Sequence, residues 1–226
     1  MNDLPKSENT PVKVVLNDKT LIIHLSKTSS ILSWAPLNGG LTKSNYIFNH
    51  ECDNFQDNDL GTIFNSVINR NNLPHNSIGL VTGANVSRYE ELFLSNGRLW
   101  VHTIATIGLN NARSVGDSAD VDLDTQIVRP GTINLIISCN ALPHVSGLVE
   151  AIHIATMAKT YAMVESEVKS KKSEQLATGT GTDCIVVAGG GEIQENYCGM
   201  HTVLGEMIGK AVKEIIQKGI QKWPDS

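Results

Sequence analysis

The sequence is poor in aromatic residues: 4 Phe, 3 Trp and 4 Tyr in 226 residues, 5% of the chain. That composition does not support a platform on which bases stack. Positive charge is not in excess either, with 18 Lys and Arg against 23 Asp and Glu and a net charge of −5. A general nucleic-acid binder presents a basic surface, so nucleic acid is not an expected partner. Long apolar runs are missing as well. Every strongly apolar stretch is interrupted within a few residues, whereas a bilayer span needs about 20. A membrane is therefore not expected as a partner. Cysteines are few (Cys52, Cys139, Cys184, Cys198) and none forms C-x-x-C. They read as four reduced thiols rather than a disulfide framework. The N-terminus shows no basic segment followed by an apolar run, so a signal peptide is not expected and the chain reads as cytoplasmic.

Several catalytic signatures are absent too. His50-Glu51 begins like H-E-x-x-H, but Asn54 stands where the second histidine belongs. No G-x-S-x-G surrounds any serine. Gly179-Thr-Gly181 and Gly189-Gly-Gly191 lead into neither a Walker A loop nor G-x-G-x-x-G. Asp120, Asp122 and Asp124 alternate like the start of an EF-hand. Thr125 and Gly131 replace the glycine and glutamate that loop requires, so a solvated acidic loop is expected. Histidines and carboxylates form no closed ligand set, so no metal is expected. A weak set completed across the fold, such as His50, Asp117 and His201, is the alternative.

What is present is a folded chain, with 41% hydrophobic and 18% charged residues. At about 150 residues per domain its length favours one domain. We expect a flexible tail at 1–11 and a single domain over 12–226. Strands are expected at 21–25, with 31–34 as partner, and at 78–82. Asn96-Gly97 joins two extended runs, 91–95 and 98–102, as a hairpin. A further strand covers 132–138 and another 183–188. Helices are expected from Leu60 with Asn58 or Asp59 as N-cap, from about Ser146 to Val168, and from Thr202 to Lys218. Residues 169–175 read as an exposed loop. The fold class is mixed, layered α/β, with a central antiparallel or mixed sheet and two long helices in the second half. A two-sheet αββα sandwich is compatible with this pattern.

Five constellations could carry chemistry. In Ala177-Thr-Gly-Thr-Gly-Thr-Asp183, an extended backbone puts Thr178, Thr180 and Thr182 on one face, and the glycines admit close approach. A plain threonine-rich strand entry is the structural alternative. His201 and Thr202 stand where the last helix begins, where free N–H groups favour negative charge and disfavour imidazole protonation. An ordinary cap is the alternative there. Lys159 shares an apolar stripe with Ile152, Ala155 and Ala162, so it either snorkels or meets a carboxylate. Asn38 with Gly39-Gly40 and then Asn49-His50, and Asn110-Asn111 with Asp117, are polar loops beside strands, either plain turns or site residues.

Together these elements resemble one family. The resemblance rests on Ser33-Trp-Ala-Pro-Leu-Asn-Gly-Gly40, Gly79-Leu-Val-Thr-Gly-Ala84, Asn111-Ala-Arg113 with Gly116-Asp117, Gly131-Thr-Ile-Asn134, Ala158-Lys-Thr160, residues 177–183, and Gly199 with His201-Thr202. In this order the chain resembles the adenosylcobinamide amidohydrolases, the CbiZ family, over about residues 30–215. Asn85 and Met200 depart from the family pattern, as does the element preceding Asn111. The resemblance implies hydrolysis of adenosylcobinamide to adenosylcobyric acid and 1-amino-2-propanol, in corrinoid salvage. The corrinoid is then a small-molecule substrate, and no cofactor is expected. D-x-H-x-x-G is absent around all seven histidines. A corrinoid-binding protein without catalysis and a hydrolase of another amide are the competing readings.

The expected catalytic residues are His201 for proton transfer, Asp183 orienting His201 or a water, and Thr180 or Thr182 as nucleophile unless water attacks directly. Substrate contacts are expected from Asn38, Gly39, Asn49, Asn111, Asp117, Asn134, Lys159, Thr178 and Thr202. Asparagines suit amide-bearing side chains because they donate and accept. Asn38, Asn111 and Asp183 are expected to line one cavity with His201. A homo-oligomer is compatible with the sequence.

Overall fold

The computed structural model describes residues 11–52, 59–120, 131–142 and 144–223. Strands β1 (Val12–Asn17), β2 (Thr20–Ser33) and β3 (Gly40–Glu51) open the chain, followed by helix α1 (Leu60–Asn71) and β4 (Ile78–Thr82). Then come β5 (Glu90–Asn96), β6 (Leu99–Ile107), β7 (Ala112–Arg113) and β8 (Ile133–Cys139). Helix α2 (Val145–Glu165), β9 (Gly179–Thr180), β10 (Cys184–Gly189) and α3 (Val203–Lys222) complete it.

Eight strands form one mixed sheet in the order β4-β3-β2-β10-β8-β6-β5, with β1 also on β2. The β3/β4 and β8/β10 pairs are parallel and the rest antiparallel. The long strand β2 explains the shape. Its first half pairs with β1 and its second half with β10, and its register on β3 shifts between His24 and Ser29. A bulge of this kind bends a strand and raises its twist. The sheet thus folds over itself, and its two halves pack face to face. Ile23, Ile47 and Leu80 from one half share a buried cluster with Ile104, Ile136 and Val186 from the other. Because β side chains alternate, Leu135, Ile137, Ile185 and Val187 point outward, against Leu148, Ile208 and Val212 of α2 and α3. Helix α1 covers Phe48 on the opposite outer face. The layering is αββα within a single sheet, and β4 and β5 end its order without closing a barrel.

The structure corrects several sequence expectations. Residues 31–34 are not a partner of 21–25; Ile31–Ser33 continues the same strand across the bulge. Alternation across a bulge is interrupted, which makes one strand read as two. Strands β1 and β3 escaped the sequence reading. The hairpin is centred one residue later: Asn96 pairs with Leu99, so Gly97 and Arg98 form the loop. Gly97 has φ +59 and Arg98 has no positive φ, which is the type II′ pattern rather than I′. Asp59 caps α1 through its side chain, one of the two caps expected there, and Thr202 caps α3, the alternative reading of that position. The proposed tail (except residue 11), Asp122 and Asp124 lie outside the described residues.

Candidate active-site cavity

A cavity of about 180 Å³ opens between the two halves of the sheet, at the end where β8 and β10 begin. Trp34 and Pro36, Leu80 to Gly83, Gly131 with Thr132 and Asn134, and residues 182–184 wall it. Alternation decides which side chains can face it. Asn134 and Cys184 share parity with the inward residues Ile136 and Val186, and Thr82 with Ile78 and Leu80. Burial pushes the Cys184 thiol up to about 12. Cys139 and Cys198 are likewise raised by burial, to about 11 and about 12. These thiols stay protonated near neutral pH and are poor nucleophiles.

Asp183 has the other parity, and its carboxylate turns toward the helices. It pairs with Lys159 Nζ on α2, the two side chains being only 10% and 9% exposed. Oδ1 also accepts from the Thr180 hydroxyl and from Ile133 N at 3.1 Å, and Oδ2 accepts from Thr180 N at 3.1 Å. Lys159 therefore meets a carboxylate, one of its two expected outcomes. Gly179 leaves room for this pair, since a methyl group there would overlap Asp183 Oδ2 and Lys159 Nζ as they stand. Backbone on the cavity side is tied as well: Trp34 Nε1 donates to Asp183 O at 2.7 Å, and Thr132 Oγ1 to Thr182 O at 2.7 Å.

Thr178, Thr180 and Thr182 do not share one extended face. Strand β9 ends at Thr180, and a turn follows. Thr178 Oγ1 accepts from Val115 N at 2.9 Å, Thr180 serves Asp183, and Thr182 Oγ1 donates to Gly131 O at 3.0 Å. Asn111 reaches Thr182 Oγ1 at 3.4 Å. Asn49 is buried and bridges the two sheet halves, donating to Thr106 Oγ1 at 2.8 Å and accepting from Asn134 Nδ2 at 2.9 Å.

Other expected site residues lie outside this group. Asn38 has φ 55 and donates to His75 O and Ser77 O, both at 2.8 Å. It builds the turn, and Gly39 beside it packs so closely that a methyl group would overlap Ala35 O. Asp117 accepts from Ser114 N, Ser170 Oγ and Ser173 Oγ. The two serine hydroxyls, then the amide, hold its carboxyl below the ordinary carboxylate range. His50 meets Thr20 Oγ1 at 2.9 Å, and burial followed by Arg70 lowers its pKa.

His201 is brought to neither Asp183 nor the cavity. It precedes α3, close to Gly199; a methyl group on Gly199 would meet Glu150 Oε1 at 3.2 Å and His201 Cε1 at 3.3 Å. Glu150 Oε2 accepts from Cys198 N at 2.7 Å. This is the end where β8 and β10 finish and α2 and α3 start. Along α2, Glu150 and Lys159 are separated by about 13 Å of helix rise. The expected Asp183–His201 contact and the cavity shared by His201 with Asn38, Asn111 and Asp183 are therefore not formed. Strand β10 runs from one group to the other, with Asp183 before its first residue and the segment of His201 after its last.

The model of the family described as adenosylcobinamide amidohydrolase matches residues 4–226. The chain belongs to this family. It is also 33% identical over 233 residues to the uncharacterized protein MJ1613 of Methanocaldococcus jannaschii, covering 92% of this chain and 88% of that protein. Among solved structures it matches the PH0078 protein from Pyrococcus horikoshii at 9% identity and a TM-score of 0.48, over 94% of this chain and 83% of that one. In this adenosylcobinamide amidohydrolase family member, the cavity is walled by four of the segments on which the family resemblance rests: 33–40, 79–84, 131–134 and 177–183. Asn111 and Lys159, from two more, touch Thr182 and Asp183. Sequence reasoning missed Trp34 and Thr82 as individual residues. The signal that could have found them was their position inside those segments.

Proposed function

We propose that this chain hydrolyses the amide of adenosylcobinamide, giving adenosylcobyric acid and 1-amino-2-propanol. The convergence of four family-resembling segments on one cavity carries this reading. A cavity of about 180 Å³ is far too small for a corrin macrocycle. It suits the aminopropanol-bearing arm, with the ring outside against half-exposed Trp34. The corrinoid is substrate, not cofactor. Water oxygen bonds to the carbonyl carbon, the C–N bond breaks, and the amine leaves with a proton. Direct attack by water is favoured over attack by Thr182, because the Thr182 hydroxyl proton rests on Gly131 O, a carbonyl that cannot take it. Lys159 and Asp183 act as positioning residues that hold the cavity backbone.

A second location for the chemistry is supported by Glu150 and His201, which flank Gly199 where both long helices begin. An imidazole and a carboxylate facing one glycine are two groups that proton transfer can use. Two measurements test these readings. Purified protein is incubated with adenosylcobinamide, and the corrinoid and the amine are followed by mass spectrometry. Turnover supports the hydrolase, binding without turnover the carrier, and neither outcome another amide. The same assay after exhaustive chelation is expected to give unchanged turnover. Loss with EDTA, restored by one divalent ion, overturns the metal-free reading.

A further inference from the structure

Two buried side chains at the cavity have hydrogen-bonding capacity that the described residues do not use. Asn134, 2% exposed, donates both amide hydrogens, to Asn49 Oδ1 and to Val81 O, each at 2.9 Å. Val81 O can only accept, so the carboxamide orientation is set: Nδ2 points there. Among the described residues Asn134 Oδ1 has one neighbouring donor, Thr132 Oγ1 at 3.4 Å. A threonine hydroxyl has one proton, and Thr132 spends it on Thr182 O at 2.7 Å. With that proton on the shorter bond, Oδ1 receives none from the described residues. Thr82, 0% exposed, accepts from Ala84 N at 3.0 Å through Oγ1, and its own proton has no acceptor among the described residues. Thr82 ends β4 and Asn134 lies in β8, on opposite halves of the folded sheet, and the Asn134–Val81 bond joins those strands directly.

A buried acceptor and a buried donor left open at one cavity cost free energy unless a ligand completes them. A secondary amide supplies the complement: its N–H donates and its C=O accepts. We propose that Thr82 and Asn134 are the amide-reading pair of this cavity, with the Thr82 hydroxyl on the substrate carbonyl oxygen and Asn134 Oδ1 on the N–H. Asn49 is a positioning residue, because its Oδ1 holds the Asn134 carboxamide in the acceptor-out orientation. The inference rests on the hydrolase reading for its substrate, but the recognition of an amide is a separate property. A pair of this kind discriminates against the ester, which lacks the N–H and leaves Asn134 Oδ1 buried and unmatched.

The test uses the full chain and two small probes, N-(2-hydroxypropyl)acetamide and 2-hydroxypropyl acetate, titrated by NMR. The amide is expected to bind about tenfold more tightly than the ester. Thr82→Val should weaken both probes by about tenfold, since both carry the carbonyl, and Thr82→Ser should restore them. Asn49→Ser should narrow the amide preference without loss of fold by circular dichroism. Equal binding of amide and ester, no binding of either, or an unchanged Thr82→Val protein overturns the pair. Adenosylcobinamide turnover is measured in parallel. Turnover with no amide preference defeats the pair alone, whereas an amide preference without turnover defeats the hydrolase reading and leaves the pair standing.

Discussion

The two ends of the β8–β10 strand pair are built differently. At their beginnings, side chains from distant parts of the chain are locked together: Lys159 to Asp183, Asn111 to Thr182, Asn49 to Asn134. A cavity opens beside them. At their ends, His201 is exposed in the turn before α3, Thr202 Oγ1 donates to Gly199 O at 2.8 Å, and one longer-range bond, Cys198 N to Glu150 Oε2, ties that turn to α2. The first end resembles a preorganised pocket. The second is a helix start with chemically capable side chains. Residues that look equally functional in a motif can thus occupy opposite ends of one strand, about 20 Å apart for six residues at about 3.3 Å each.

The strongest way to break this contrast is to cut the buried ion pair. Lys159→Met leaves Asp183 charged and without its cation, and should cost about 3–5 kcal/mol in a denaturant titration. Adding Asp183→Asn should recover part of that loss, and a double variant no better than Lys159→Met would show that the pair is not coupled. The contrast is sharpened by paired activity measurements. Thr182→Val is expected to lower turnover by about 10–100-fold, and His201→Ala by no more than about threefold. The reverse order, with His201→Ala down by about 10²–10⁴-fold, moves the reaction centre to the other end. Next in size, Asn49→Ala should cost about 1–3 kcal/mol by leaving Asn134 Nδ2 short of one acceptor. A neutral result would mean that the bridge between sheet halves is dispensable.

The smallest effect concerns acid stability near the cavity end. The folded pKa of Asp117 is depressed by Ser170, Ser173 and Ser114 N. Its stabilising contribution is therefore complete above the ordinary carboxyl pKa of about 4 and is lost as pH falls through the lower folded value. Asp117→Asn should flatten the thermal midpoint of unfolding against pH in that acid range only. A variant with the wild-type acid slope would assign that slope to other carboxylates.

Much of the local structure was legible because its causes are local. Asp59 and Thr202 announce helix starts through short-range hydrogen bonds to backbone N–H groups. Leu204, Ile208, Ala211 and Ile215 all point into the core, as their helical spacing requires. The fold of β2 was not legible, because a bulge interrupts alternation, and β1 has mostly exposed side chains that carry little apolar pattern. The candidate site was legible only as a set of segments. Lys159 on an apolar stripe implied either a partner or a snorkelling stem. Only packing supplied Asp183 from a segment 24 residues away.

By itself the sequence determined the family, the mixed α/β class, the long helices, the caps of α1 and α3, and the residue types available for chemistry. These follow from composition, periodicity and local hydrogen bonding. Tertiary structure alone decided which of those residues meet. The period of two along β10 and the turn after Thr180 send the Asp183 carboxylate to the helix layer, while Asn134 and Cys184 fall on the inward face. The direction of β10 then separates Asp183 from the segment of His201. Side-chain alternation is a local rule, but which face becomes a cavity depends on how the sheet bends at β2, a property of the whole packed chain.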